Sequence, residues 1–148
     1  MIFPDANLLL YAEDSLSLHH DKARTWWDGV LSESEPVNLC WPVLNAFIRI
    51  ATNARLHQRP LTADEATACV QSWFDQPCVR LVGPSENHWV VFQKQIRDSG
   101  AVGSLIPDAH LAALAIEHGH GCTLYSADQD FAKFPSLRWV NPLSSKGI

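Results

Sequence analysis

The chain has 148 residues, of which 47% are hydrophobic and 18% are charged, and its formal net charge at pH 7 is −5. That length suits one domain over residues 1–148, and the composition is that of a folded protein rather than a disordered one. No apolar run approaches the ~18 residues that span a bilayer, and the opening residues lack the basic leader of a signal peptide. We therefore expect a soluble, cytoplasmic domain that does not bind nucleic acid by overall positive charge.

The first half of the chain alternates short apolar strands with longer segments of helical periodicity. In chain order we predict a strand, two helices, a strand and a helix, over residues 1–4, 6–12, 19–31, 37–40 and 42–50. Pro42 fits the last of these helices because proline is tolerated in the first helical turn. Trp26 and Trp27 are adjacent in the second helix, so they cannot both face the core.

The second half continues the same alternation. A helix begins at the capping box formed by Thr62 and Glu65 and ends near Asp75. The elements that follow are a strand, a helix that ends before residue 100, a helix and two strands, beginning at residues 79, 87, 108, 122 and 137. Strands joined through helices of ten or more residues form right-handed crossovers between parallel neighbours. The sequence therefore predicts a three-layer α/β/α domain with a mostly parallel central sheet.

Four aspartates fall where such a sheet places its functional sites, beyond the carboxyl ends of the strands. Asp5 directly follows the first strand, Asp128 lies two residues after the fourth strand, and Asp130 comes two residues later. Asp108 begins the alanine-rich helix before the fourth strand. Each has a purely structural interpretation as well, because aspartate caps helices and forms turns. Their delivery by three separate segments to one edge of one sheet favours a shared site.

A shared site of this kind needs positive charge. Carboxylates gathered without a counter-charge repel one another, and no lysine or arginine is adjacent to any of the four aspartates in sequence. A divalent cation removes the repulsion. Mg²⁺ or Mn²⁺ is the expected ion, because both prefer oxygen ligands and keep their remaining positions for water.

The segments that carry these aspartates resemble a known family. Residues 5–7 (Asp-Ala-Asn), 107–115 and 126–131 are similar to motifs of PIN domains and, more narrowly, of VapC-type toxins of bacterial toxin–antitoxin pairs. The resemblance covers essentially the whole chain, including residues 47–53 and 137–142. It implies a Mg²⁺-dependent ribonuclease that cuts RNA, forms a homodimer and pairs with a small VapB-type antitoxin.

The same resemblance implies a role for individual residues. Asp5 and Asp108 match the catalytic metal ligands, and Asp128 completes the acidic cluster. Asp130 is a weaker candidate that contacts the metal or the substrate through water. The family commonly has a glutamate on the helix after the second strand, where this chain has Ala46 or, in a register shifted by one, Asn45. The missing carboxylate argues against a two-metal mechanism, although not against metal binding.

Three further residues are candidates for substrate binding, each beside a structural alternative. Arg49 is the first of a basic stretch that either follows an RNA backbone or ends a helix. Asn7 either fixes the turn after Asp5 or contacts substrate, and Ser126 hydrogen-bonds either the substrate or the loop of Asp128. His110 points away from Asp108 on a helix, so we leave it out of the site.

Three other functions remain open from the residues alone. Phosphatases of the haloacid-dehalogenase type and phospho-accepting receivers also use an aspartate at the edge of a sheet. The phosphatase needs a second aspartate where this chain has Asn7, and the receiver needs a lysine for which Lys133 is poorly placed. A PIN-like scaffold that binds RNA or protein without cutting is the third possibility, because of the missing glutamate.

The expected assembly rests on apolar surface and on charge. Apolar surface around Trp26 and Trp27 is the predicted homodimer contact, since homodimer interfaces are apolar at their centre. The expected antitoxin inhibits by placing an arginine or lysine against Asp5, Asp108 and Asp128.

Overall fold

The computed structural model describes residues 1–119 and 122–144. Five strands form one sheet: β1 (Ile2–Pro4), β2 (Val37–Leu39), β3 (Val79–Leu81), β4 (Thr123–Tyr125) and β5 (Trp139–Val140). Their order across the sheet is β3-β2-β1-β4-β5, and every neighbouring pair is parallel. The predicted three-layer α/β/α architecture is confirmed.

Within residues 1–119 and 122–144, six α-helices connect the strands: α1 (Ala6–Glu13), α2 (His20–Ser32), α3 (Trp41–Ala51), α4 (Ala63–Phe74), α5 (His88–Ser99) and α6 (Ile106–Glu117). The chain moves one strand at a time from β1 to β3, then crosses back to β4 on the far side of β1. Because crossovers are right-handed, this reversal puts α5 and α6 on the opposite face from α1–α4. In such sheets, sites form where the strand order reverses, here between β1 and β4.

Local sequence explains where the helices begin. Asp5 caps α1, and Thr62 and Glu65 form the predicted capping box of α4. Helix α6 begins at Ile106, two residues before the predicted start, because Pro107 is accommodated in its first turn. Asp108 is consequently the third residue of α6 rather than its cap.

Aromatic side chains fill the core between α2, α3 and α4. Trp27 and Trp73 are 5.8 Å apart between ring centroids, and Phe47 lies 4.7 Å from Trp73. Trp27 is completely buried, whereas Trp26 is half-buried against Tyr125. The expected homodimer contact around both tryptophans is therefore wrong for Trp27, whose side chain belongs to the core.

In the part of the chain that the structure describes, no helix combines the length and the apolar character needed to cross a membrane.

Candidate active site

Ser126 ties the first strand to the loop that follows the fourth. Its hydroxyl donates to Asp5 Oδ2 at 2.7 Å and accepts from the backbone N–H of Asp128 at 3.0 Å and from Asn7 Nδ2 at 3.1 Å. The side-chain oxygen Oδ1 of Asn7 in turn accepts from the backbone N–H of Ala127 at 3.4 Å. Ser126 is fully buried, so these bonds fix the separation between Asp5 and Asp128. The predicted contact of Ser126 with the Asp128 loop is confirmed, and substrate binding by Ser126 and Asn7 stays a prediction.

Asp5 caps a helix, and its second carboxylate oxygen lies at the edge of the sheet; its role as a metal ligand stays a prediction. Its Oδ1 accepts the backbone N–H of Ala6 at 2.7 Å, which caps α1. Its Oδ2 turns toward Ser126 at the edge of the sheet. Burial raises the pKa of the Asp5 carboxyl, the bonds from Ser126 and Ala6 lower it, and the negative charge of Asp128 raises it. The direction of the whole shift is upward because burial is the largest effect.

Three carboxylates meet at this edge from two different segments. Asp108, Asp128 and Asp130 each offer an oxygen, and these three atoms lie within 4.8 Å of one another. Asp108 comes from α6, whereas Asp128 caps a short 3₁₀ helix (Gln129–Lys133) and accepts the backbone N–H of Asp130 at 2.9 Å. The expected Asx-turn is present. Of the predicted metal ligands Asp5, Asp108 and Asp128, the last two belong to this trio, whereas Asp5 does not. Asp130, predicted as a weaker candidate, belongs to the tight group.

The pKa of Asp108 responds to burial and to the neighbouring carboxylates. Burial, and then the charges of Asp128, Asp5 and Asp130, raise the pKa of the Asp108 carboxyl to about 6. Asp5 therefore belongs to the same electrostatic cluster as the tight trio. Groups that repel each other in this way stabilise a bound cation, because the cation removes the repulsion.

The cluster also contains a cation that sequence adjacency did not reveal. Lys133 Nζ lies 3.2 Å from Asp130 Oδ1. Its positive charge partly opposes the rise in the pKa of Asp108. The inference that these acids lack a counter-charge from this chain is therefore wrong. The signal in the sequence is the spacing of three residues, which brings two side chains together on a 3₁₀ helix.

Helix α3 supplies no acid where the family commonly has a glutamate. Asn45 is exposed and Ala46 is half-buried on this helix. Cys40, which caps α3, is buried close enough to Asp5 for the two to interact electrostatically, and burial raises the pKa of its thiol to about 12. A neutral thiol thus stands on this side of Asp5.

The basic stretch that begins at Arg49 is exposed at its start and lines a cavity further along the chain. Arg49 is exposed in the last turn of α3, where its charge suits the helix end. His57 Nδ1 lies 3.5 Å from Asp14 Oδ2, and His57 and Arg59 line a cavity of about 240 Å³. RNA binding by Arg49 stays a prediction.

A partly buried chain of hydrogen-bonded side chains, the polar relay, joins α5 to α6 outside the acidic cluster. Glu117 oxygens lie 2.9 and 3.0 Å from His88 Nδ1, and His88 Nε2 lies 3.0 Å from His110 Nδ1. His110 is thus engaged by α5, which agrees with leaving it out of the site. Nothing in the local sequence indicates this relay, because tertiary packing brings together residues that are 22 and 29 positions apart.

The amino-acid sequence is similar to those of known ribonucleases. No family model matches the chain. Ribonuclease VapC37 of Mycobacterium tuberculosis is 40% identical over 138 residues, which cover 93% of this chain and 94% of the relative. The chain belongs to the VapC ribonuclease family. Ribonuclease VapC33 of the same organism is 37% identical over 143 residues, covering 97% of this chain and 99% of that one.

Solved VapC structures share the fold at low sequence identity. The Mycobacterium tuberculosis VapC20 structure, titled a Sarcin-Ricin loop cleaving toxin, aligns with a TM-score of 0.65 at 20% identity over 93% of this chain and 99% of that one. VapBC2 of Rickettsia felis, bound to a DNA fragment from its promoter, aligns with a TM-score of 0.66 at 15% identity over 95% and 98%. The predicted PIN-domain fold of a VapC-type toxin is confirmed.

Proposed function

We propose that this protein is a Mg²⁺-dependent endoribonuclease that hydrolyses RNA phosphodiesters as the toxin of a VapBC-type pair. The observation that carries this proposal is the cluster of Asp108, Asp128 and Asp130, with Asp5 beside it, at the reversal point of the sheet. Membership of the VapC family supports RNA as the substrate, because the relatives are named ribonucleases.

The donor set of the cluster fits Mg²⁺ or Mn²⁺. All the clustered ligand atoms are carboxylate oxygens, which these ions prefer over nitrogen or sulfur. The three oxygens lie within 4.8 Å of one another, so a single small cation placed among them would neutralise all three carboxylates.

Each carboxylate has a separate task in this proposal. Asp108 and Asp128 would hold the ion directly. Asp5, which the sequence predicts as a ligand too, has its two oxygens hydrogen-bonded to Ala6 and Ser126, so we give it the role of added negative charge. Asp130 would contribute a ligand or a water-mediated contact. A bound Mg²⁺ would supply charge neutralisation of the scissile phosphate and a more acidic water. We assign Asp128 to orienting or deprotonating the attacking water, whose in-line attack leaves a 5′-phosphate.

Inhibition by a VapB-type antitoxin is the second part of the proposal. The solved structures that share this fold include VapBC complexes, among them VapBC-1 of nontypeable Haemophilus influenzae. An antitoxin arginine or lysine directed at Asp5, Asp108 and Asp128 replaces the charge of the metal and excludes water. Carboxylate-bound arginines form strong bidentate hydrogen bonds, which suits them to this role.

We also propose a homodimer. Trp27 is buried, so the contact must be formed by other residues. The large apolar side chains exposed on the surface include Trp41, Trp89, Val90 and Val102. Sedimentation at micromolar concentration is expected to give the mass of two chains, and a monomer under those conditions contradicts the proposal.

An RNA cleavage assay tests the proposed reaction. Purified protein is expected to cut RNA with added Mg²⁺ and to stop when the metal is chelated, and the products should carry 5′-phosphates. Asp108→Asn is the matched inactive control, because it removes one charge and preserves side-chain size. Cleavage that survives chelation, or 2′,3′-cyclic phosphate products, contradicts the metal mechanism. RNA binding without any cleavage supports the non-cutting PIN scaffold instead.

A further inference from the structure

Lys133 lies beside Asp130 because both residues are in a 3₁₀ helix. Residues 129–133 form a 3₁₀ helix, in which side chains three positions apart eclipse one another. Asp130 and Lys133 therefore share one face, with Nζ 3.2 Å from Oδ1. Phe131 and Phe134, also three apart, are buried and anchor the segment to the core. The anchored backbone keeps the lysine beside the carboxylates.

The ion pair is placed to be exchanged rather than to stabilise the fold. The Lys133 and Asp130 side chains are 55% and 49% exposed, and ion pairs between exposed groups are weak. The charge of Lys133 nevertheless extends past Asp130, since it also acts on Asp108. Lysine is a compact charge on a flexible four-carbon stem, so its ammonium group can leave one anion for another nearby.

We propose that Lys133 is a built-in counter-charge that neutralises Asp130 in the metal-free protein and transfers to an RNA phosphate when a divalent cation binds the cluster. This inference rests on the proposed function, because it requires both a metal and RNA at the site. The cation takes over Asp130, and the lysine released from it binds the phosphate backbone. Lys133 thus weakens metal binding and strengthens RNA binding.

Mn²⁺ binding measured by calorimetry tests the first half. Lys133→Met is expected to bind Mn²⁺ with a Kd lower than that of the wild type by about two- to fivefold, the range that loss of one exposed ion pair allows. Lys133→Arg, which retains the charge, should match the wild type. Lys94→Met is the control for net charge, because Lys94 is 56% exposed and pairs with Asp98 on α5. It should leave the Kd for Mn²⁺ unchanged.

RNA binding measured against salt concentration tests the second half. In an Asp5→Asn background that prevents cleavage, a single-stranded RNA oligonucleotide is titrated with and without Mn²⁺. With Mn²⁺ present, Lys133→Met should make the plot of log K against log salt shallower by about 0.7, the contribution of one phosphate contact to single-stranded RNA. Without Mn²⁺, the same substitution should not change the slope, because Lys133 is then paired with Asp130.

The outcomes separate this inference from the proposed function. If the wild type fails to bind Mn²⁺, the metal site itself is wrong and both proposals fall. If the wild type binds Mn²⁺ but Lys133→Met behaves like Lys94→Met, only the role of Lys133 is overturned. A change in the RNA slope that is equal with and without Mn²⁺ also overturns it, because the lysine would then bind phosphate without exchange.

Discussion

Asp5 combines a structural bond and an electrostatic role in one side chain. Oδ1 caps α1 and Oδ2 accepts from the buried Ser126, so the carboxylate holds the fold together while adding charge to the cluster. The two roles call for different properties of the side chain, because capping needs an oxygen acceptor and the cluster needs a negative charge. Substitution can therefore separate them.

Asp5→Asn and Asp5→Ala are expected to differ in stability but not in activity. Asparagine caps helices as well as aspartate does, but its single oxygen cannot both cap α1 and accept from Ser126, so Asp5→Asn should lose RNA cleavage and only part of the stability that Asp5→Ala loses. Asp5→Ala loses the cap and leaves Ser126 without its acceptor, which should lower the free energy of unfolding by about 1–3 kcal/mol. Thermal denaturation and the cleavage assay measure the two effects. A large fall in the melting temperature of Asp5→Asn would indicate a purely structural role.

The stability of the metal-free protein should depend on the charge of Asp108. A carboxyl whose pKa is raised from 3.8 to about 6 on folding favours the folded state while it is protonated. That contribution is complete below pH 4 and is lost as the pH rises through about 6. Relative to Asp108→Asn, the wild type should therefore lose stability between pH 4 and 7, by about 1 kcal/mol after allowance for solvent screening of this half-exposed group.

Urea denaturation in the presence of a chelator measures this difference at pH 4.5 and pH 7. A constant gap between the wild type and Asp108→Asn across that range would contradict the prediction. Added Mg²⁺ should stabilise the wild type at pH 7 and leave Asp108→Asn less affected.

At the level of elements, helix α6 carries a residue of the acidic cluster at its start and a residue of the polar relay at its end. Asp108 lies in the first turn of α6 and Glu117 is its last residue. Glu117 accepts the backbone N–H of Ser85 at 3.0 Å and contacts His88, so it joins α6 to the start of α5. The position of Asp108 therefore depends on packing against α5 as well as on the sheet.

Glu117→Ala should destabilise the protein strongly. The Glu117 side chain is 2% exposed, and its removal leaves the Ser85 N–H and the Nδ1 atom of His88 without their partner. We expect a loss of about 2–4 kcal/mol in the free energy of unfolding, measured by urea denaturation. Glu86→Ala, a change at an exposed glutamate nearby, should cost less than about 0.5 kcal/mol. Equal effects of the two substitutions would show that the relay does not support α6.

The elements themselves were predictable because their signals are local. Apolar spacing and the Thr62 capping box located the helices within a few residues, and the aspartates at strand ends followed from the parallel topology. Two features were not predicted, one in the site and one outside it. The contact of Lys133 with Asp130 depends on a 3₁₀ helix, whose three-residue spacing brings the two side chains together. The polar relay through His88 depends on how α5 packs on α6, which is set by tertiary structure.

At the level of the whole molecule, the cluster makes one region of an acidic protein the common target of two cations. A divalent metal and an antitoxin side chain of positive charge would both neutralise Asp5, Asp108 and Asp128. Raising the Mg²⁺ concentration should therefore weaken inhibition by the antitoxin, measured as the antitoxin concentration that halves RNA cleavage. Inhibition that is independent of Mg²⁺ would locate the antitoxin contact away from the cluster. Addition of Na⁺ at matched ionic strength controls for screening.

The bond between Ser126 and Asp5 joins residues 121 positions apart in the chain. During synthesis, Asp5 therefore leaves the ribosome long before the serine that fixes it and the two aspartates that follow that serine. The pairing of β1 with β4 brings these residues together, so the cluster cannot assemble before residue 130 has been synthesised. We therefore expect a nascent chain shorter than this to lack any RNA cleavage that depends on the cluster.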